Sequence, residues 1–127
     1  MAPRPTEQEL AYQTGRICQQ HTDRQMAAIE RFEDRRGIDH EQLSASQLEQ
    51  ELVQVILPIL RDTIHDVGRL HPPSAERGRF KAFLGALKYG VSASETDPSW
   101  VVTGDFEPFR RARLLSAALG TYYCGQA

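Results

Sequence analysis

The chain has 127 residues, of which 40% are apolar and 25% charged, with two Cys, nine Gly and seven Pro. This length fits one domain able to bury about two-thirds of its unfolded surface, and the composition excludes collagen-like, low-complexity and disulfide-dense scaffolds. A net charge of −2 gives no basis for a nucleic-acid partner, and the longest apolar run, Val55-Ile56-Leu57-Pro58-Ile59-Leu60, falls far short of the roughly 20 residues a bilayer span needs.

Met1 to Pro5 carry two prolines and read as a flexible lead-in. Thr6-Glu7-Gln8-Glu9 is a capping box, so the first helix is predicted over residues 6–36, with Gly37 as its terminator. Its apolar stripe is Leu10, Thr14, Ile17, Cys18, His21, Ala28, Ile29 and Phe32, and the remaining surface is Arg, Gln and Glu. One buried face is the consequence. A polar connector over 37–45 leads to a second capping box, Ser46-Gln47-Leu48-Glu49.

The second helix is predicted over 46–70. It is apolar on most sides and therefore buried against several neighbours. Pro58 stands in its middle, where it removes a backbone hydrogen bond and predicts a kink. His71-Pro72-Pro73 ends it. Ser74 is predicted to cap a third helix over 74–96, striped by Phe80, Phe83, Leu84, Leu87 and Val91. Gly85 and Gly90 weaken that helix by about 1 kcal/mol each unless a close neighbour requires them. Residues 97–104 read as a loop holding the sole Trp, Trp100. Asp105 is predicted to cap the fourth helix over 105–120, with Phe109, Ala112, Leu115, Ser116 and Leu119 inward and Gly120 as its stop.

Four helices with short connectors and no strand pattern predict a single all-α domain over 1–127, an up-down-up-down four-helix bundle. In that topology the start of the first helix and the end of the fourth lie together. Cys124 therefore has a route back to Cys18, and two buried free thiols are the alternative. No CxxC or zinc spacing is present, so no metal or cofactor is predicted.

The sequence resembles a group of small, uncharacterised proteins of actinobacteria and related bacteria, commonly encoded with an N-terminal signal, lipoprotein or membrane-anchor segment. The likeness runs through Arg16-Ile17-Cys18, Val55 to Arg61, Leu70-His71-Pro72-Pro73, Phe106 to Arg113 and the closing Ala118 to Gly125. It implies an extracytoplasmic helical domain, secreted or held in the cell envelope, with Cys18 and Cys124 paired. No hydrophobic export segment or lipobox precedes Thr6, so a trimmed leader is the expectation, and any membrane attachment would run through it.

Several side chains are candidates for chemistry. His21 lies on the apolar stripe, as a core ligand or as a hydrogen-bonded structural histidine. Asp62 and His65, three apart on one helix face, form an acid–base pair or a solvated face. Arg77 and Arg79 with Lys81, and Arg110, Arg111 and Arg113, form an anion-binding surface or a charged face paired with acids of the first helix. Thirteen of the 15 basic residues are Arg and there is no Asn, which fits either Arg-mediated recognition or coding bias. Trp100 covers one end of the bundle or forms a partner-binding tip.

The leading functional reading is an extracytoplasmic binding or interaction module, monomeric or weakly dimeric, for an unknown protein or small molecule. The alternatives are a cytoplasmic regulator or adaptor with free thiols, and a small enzyme or cofactor binder with an enclosed pocket near Pro58 and His21.

Overall fold

Thr6 opens the first helix as its sequence requires: its hydroxyl oxygen accepts the Glu9 backbone N–H at 3.1 Å, and the same hydroxyl donates to the Glu9 carboxylate at 3.1 Å. In the computed structural model, which describes residues 6–120, this helix (α1) spans Glu7–Arg36. It ends at Gly37, whose φ of 62° is the left-handed conformation that glycine adopts without a Cβ penalty. The Gly37 and Ile38 amides donate to the Asp34 and Glu33 carbonyls, closing the helix end and reversing the chain. The buried face of α1 carries Leu10, Thr14, Cys18, His21 and Phe32, as the stripe predicts, and also Gln25 and Glu33.

The second helical stretch differs from its prediction at two points. Its capping box is Ser44 with Gln47, not Ser46 with Glu49: the Gln47 amide donates to Ser44 Oγ at 3.1 Å and the Ser44 amide to Gln47 Oε1 at 2.8 Å. Helix α2 accordingly spans Ala45–Glu51. A π turn then runs over Leu52–Ile56, and the Leu57 N–H donates five residues back to the Leu52 carbonyl. Helix α3, Leu57–Gly68, follows with Pro58 in its first turn. The helical backbone is continuous from Ala45 through the π turn, so Pro58 removes one N–H from the ladder. The predicted distortion at Pro58 thus takes the form of a widened turn just before it.

Helix α4, Arg77–Thr96, follows a 3₁₀ turn over Ser74–Glu76. The segment read as a loop contains a short helix, α5, Trp100–Thr103. The last helix, α6, begins at Arg110 rather than 105 and runs to Ala118. Ahead of it Asp105 Oδ1 accepts the Glu107 amide at 3.1 Å, and Glu107–Phe109 form a 3₁₀ turn. The described residues contain no strand.

Helix α1 packs on α3, α3 on α4, and α4 on α6. One apolar cluster joins Leu10 and Cys18 of α1, Val67 of α3, Phe80, Phe83 and Leu87 of α4, and Ala112 and Leu119 beside them. The other joins Leu52, Ile56, Leu57 and Leu60 to Val91, Trp100 and Phe109. Gly90 is where the second cluster closes: a Cβ at this position would stand 2.5 Å from the Phe109 ring and 3.0 Å from the Pro108 carbonyl oxygen. Gly85 has no such neighbour within 4 Å, so close approach explains Gly90 and not Gly85. No helix among the described residues is long and apolar enough to cross a membrane.

Candidate functional site

His21 occupies the interface between α1 and α3. Its Nε2 lies 2.7 Å from Asp66 Oδ2, and its Nδ1 lies 2.9 Å from Arg24 Nη1. A guanidinium can only donate, so Nδ1 accepts and Nε2 carries the proton given to Asp66. Arg24 Nη2 also reaches Asp62 Oδ2 at 3.3 Å. Both ring nitrogens of buried His21 are thereby committed to tying two helices together, which leaves no ligand position for a core metal or haem. Asp62 is engaged by Arg24 and not by His65, which is exposed. The predicted Asp62–His65 pair is not formed. Pro58 is exposed, and among the described residues neither it nor His21 lines any of the three main cavities.

The arginines separate into different places. Arg79 pairs with Glu76 and Arg110 with Glu107, each at 3.8 Å and one turn apart. Their partners are thus local acids and not those of α1. Arg113 stacks over the Phe106 ring at 5.5 Å. Arg77 and Lys81 flank a small cavity of about 270 Å³ with His71 and Pro72, while Arg110 and Arg111 line a different one. A single anion-binding surface from both sets is not assembled.

Trp100 is not a protruding tip. It is only 5% exposed. Its Nε1 donates to Ser94 Oγ at 2.9 Å, and Ser94 donates in turn to the Gly90 carbonyl at 2.6 Å. The ring packs on Phe106 and Phe109 with centroids 5.2 and 5.7 Å away. Its remaining edge lines an open groove of about 1030 Å³ between α4 and α6. Ala82, Gly85, Ala86 and Ala93 line the α4 side, and Arg110, Arg111 and Leu114 the α6 side. Tyr89 and Leu114, each 66% exposed, line the groove as well. The small side chains recur at helical spacing, which is why this face of α4 is concave.

A second constellation lies at the far end of α1. The left-handed Gly37 turns the chain back so that His40, in a 3₁₀ turn capped by Asp39, returns over Glu33. His40 Nδ1 lies 3.1 and 2.9 Å from the two Glu33 carboxylate oxygens. Glu51, the last residue of α2 before the π turn, completes the group, and one ligand atom from each of the three falls within 4.8 Å of the others. Glu33 and Glu51 are only 5% and 4% exposed, whereas His40 is exposed. Glu51 Oε2 is buried and meets no hydrogen-bond partner.

Two buried carboxylates this close cannot both ionise cheaply. Burial, reinforced by the hydrogen bond and charge of Glu33, pushes Glu51 up to about 7. Burial also opposes ionisation of Glu33, but hydrogen bonds from Glu51 and His40 and the His40 charge outweigh it and hold this carboxyl below the usual glutamate value. The hydrogen bond to Glu33 and its negative charge raise His40.

No family model, curated protein or solved structure matches the chain. The functional reading therefore rests on these geometries.

Sequence reasoning missed Glu33, His40 and Glu51. Separations of seven and eleven residues match no ligand motif, and the reversal at Gly37 is what joins them. One signal was present: Glu51 falls on the apolar face of its helix, in step with Leu48, Leu52 and Val55. A carboxylate there is forced inward and needs a compensating partner.

Proposed function

We propose that the chain is an extracytoplasmic interaction module, an up-down-up-down four-helix bundle pinned by a Cys18–Cys124 disulfide. Its groove between α4 and α6 holds an amphipathic helix of a partner protein. The groove carries this reading: an exposed tyrosine and an exposed leucine stand on a concave strip of alanine and glycine, an arrangement suited to an apolar helix face. From Ala82 to Ala93 the strip extends about 17 Å, roughly three helical turns. Asp97, Asp105 and Glu107 line the groove beside Arg110 and Arg111, so its rim carries both charges.

Cys124 lies outside the described residues, and the proposed pairing is supported by reach. A Cβ at Gly120 would sit 3.5 Å from the Ala11 Cβ. Cys18 is buried about 10 Å further along α1, and four residues of extended chain cover up to about 13 Å. Such a bond persists in oxidising compartments, in keeping with the resemblance to exported proteins.

The test is selection of displayed peptides against the oxidised protein. Enriched peptides are expected to carry apolar residues three and four apart, and to lose at least tenfold in affinity toward Tyr89→Ala/Leu114→Arg. Peptides that bind this double variant equally well would move the site elsewhere, and failure to enrich any would remove the reading. Separately, blocking with iodoacetamide in denaturant without reductant should leave the mass unchanged if the two Cys are paired.

A further inference from the structure

We propose that Glu33, His40 and Glu51 form a binding site for one divalent transition-metal ion of the zinc type. This site is independent of the groove. Its first part is the donor set, two carboxylates and one imidazole gathered from three separate turns of chain into a space no wider than 4.8 Å. Two donors of a tetrahedral zinc ion, at bond lengths of about 2.0–2.2 Å, stand about 3.4 Å apart. The three donors, no more than 4.8 Å apart, need close in by at most about 1.4 Å. Exposed His40, on a three-residue turn, is the one best able to make that adjustment.

The second part is the unsatisfied oxygen. Glu51 is 4% exposed, and whatever bond its other oxygen makes to Glu33, its Oε2 is removed from water and meets no hydrogen-bond partner. A buried carboxylate oxygen without a donor is costly, and a cation bridging Glu33 and Glu51 supplies what it lacks. A divalent ion also neutralises both carboxylates, removing the repulsion that a dry pair of glutamates otherwise carries.

The third part is the surroundings. Glu51 abuts the π turn over Leu52–Ile56, the kind of local helix widening that recurs at functional sites. The donors leave one side open to solvent at His40, through which an ion enters and water completes the coordination. Three protein ligands plus water is the pattern of an accessible zinc site. Imidazole as a donor and so few ligands disfavour Ca²⁺, which takes six to eight oxygens, and Mg²⁺, which prefers oxygen and keeps its water.

The experiment is calorimetric titration of metal-stripped, oxidised protein with Zn²⁺, and in parallel with Mg²⁺ and Ca²⁺. One Zn²⁺ per chain is expected, at least 100-fold tighter than either alkaline-earth ion, and Co²⁺ in its place should develop a visible ligand-field band. Glu51→Gln and Glu33→Gln should abolish saturable binding, and His40→Ala should weaken it at least tenfold. His65→Ala, an exposed histidine elsewhere, should leave it unchanged. His40 is on the surface, so its variant folds and keeps the test decisive even if a buried glutamine substitution unfolds the chain. Absence of one-to-one Zn²⁺ binding, or equal affinity in the wild type and His40→Ala, overturns the proposal.

Discussion

Gly90→Ala and Gly85→Ala place the same methyl group five residues apart on one helix, and the structure gives them opposite signs. In a helix interior, alanine is favoured over glycine by up to about 1 kcal/mol. At Gly85 the new Cβ meets nothing within 4 Å, so that gain is realised in full and the melting temperature should rise by roughly 2–4 °C. At Gly90 the Cβ stands 2.5 Å from two carbons of the Phe109 ring and 3.0 Å from the Pro108 carbonyl oxygen. Carbon–carbon contacts are comfortable at about 3.5–4.0 Å, so the ring must retreat by about 1 Å. Phe109 is fully buried, with Trp100 edge-on behind it, and has no free space to enter. Forced overpacking of this kind costs about 1–3 kcal/mol. Taking the upper end and subtracting the helix gain leaves a net loss of about 2 kcal/mol, or roughly 6–10 °C in melting temperature. Urea unfolding followed by the fluorescence of Trp100 and by circular dichroism reads both variants. If Gly90→Ala is as stable as Gly85→Ala, the close docking of Phe109 on α4 is wrong.

Three further outcomes follow from the same structure. Metal-stripped protein should lose stability as pH rises from about 4.5 to 8. Glu51, pushed up to about 7, keeps a proton that the unfolded chain has already released, and raised His40 likewise contributes only until pH passes its folded value. Glu33, held low, acts in the opposite sense and only toward acid. The Glu51 contribution amounts to at most ~3 kcal/mol, and chemical denaturation in chelator should show a much flatter pH profile for Glu51→Gln; an unchanged slope contradicts the buried pair. Ser94→Ala strips the acceptor from Trp100 Nε1 and should cost about 1–3 kcal/mol, measured by urea unfolding, whereas a neutral result would mean that the indole finds another acceptor. Thr6→Ala should cost about 1 kcal/mol through loss of the α1 cap, and amide exchange should quicken in the first turn of α1 and not in α4.

The parts of the fold that depend on neighbours in sequence were legible. Thr6 with Glu9, and Gly37 after Arg36, bound α1 because caps and terminators act within three or four residues. Ser44 and Ser46 both satisfy the capping pattern, since Gln47 and Glu49 are equivalent at the third position. Which of the two acts depends on where the chain arrives from the His40 turn. Trp100 read as a loop residue that either covers one end of the bundle or forms a tip, and Ser94, Phe106 and Phe109 enclose it, which the loop sequence alone does not decide. Pro58 announced a distortion but not its form, because the π turn places the change one turn upstream of the residue that causes it. The Glu33–His40–Glu51 group was hidden for a different reason: the place of Glu51 on an apolar helix face hints at one buried carboxylate, but only the fold brings Glu33 and His40 to it.

The central claim is that the groove between α4 and α6 is a docking surface for a partner protein. The most direct measurement places a photo-crosslinking residue at position 89, 114 or 53 of the chain in its native cells. Val53 is also an exposed apolar residue but lies outside the groove. Positions 89 and 114 should capture one and the same protein through a helical segment, with no such product from position 53. Equal capture from all three positions, or none from 89 and 114, would contradict the account.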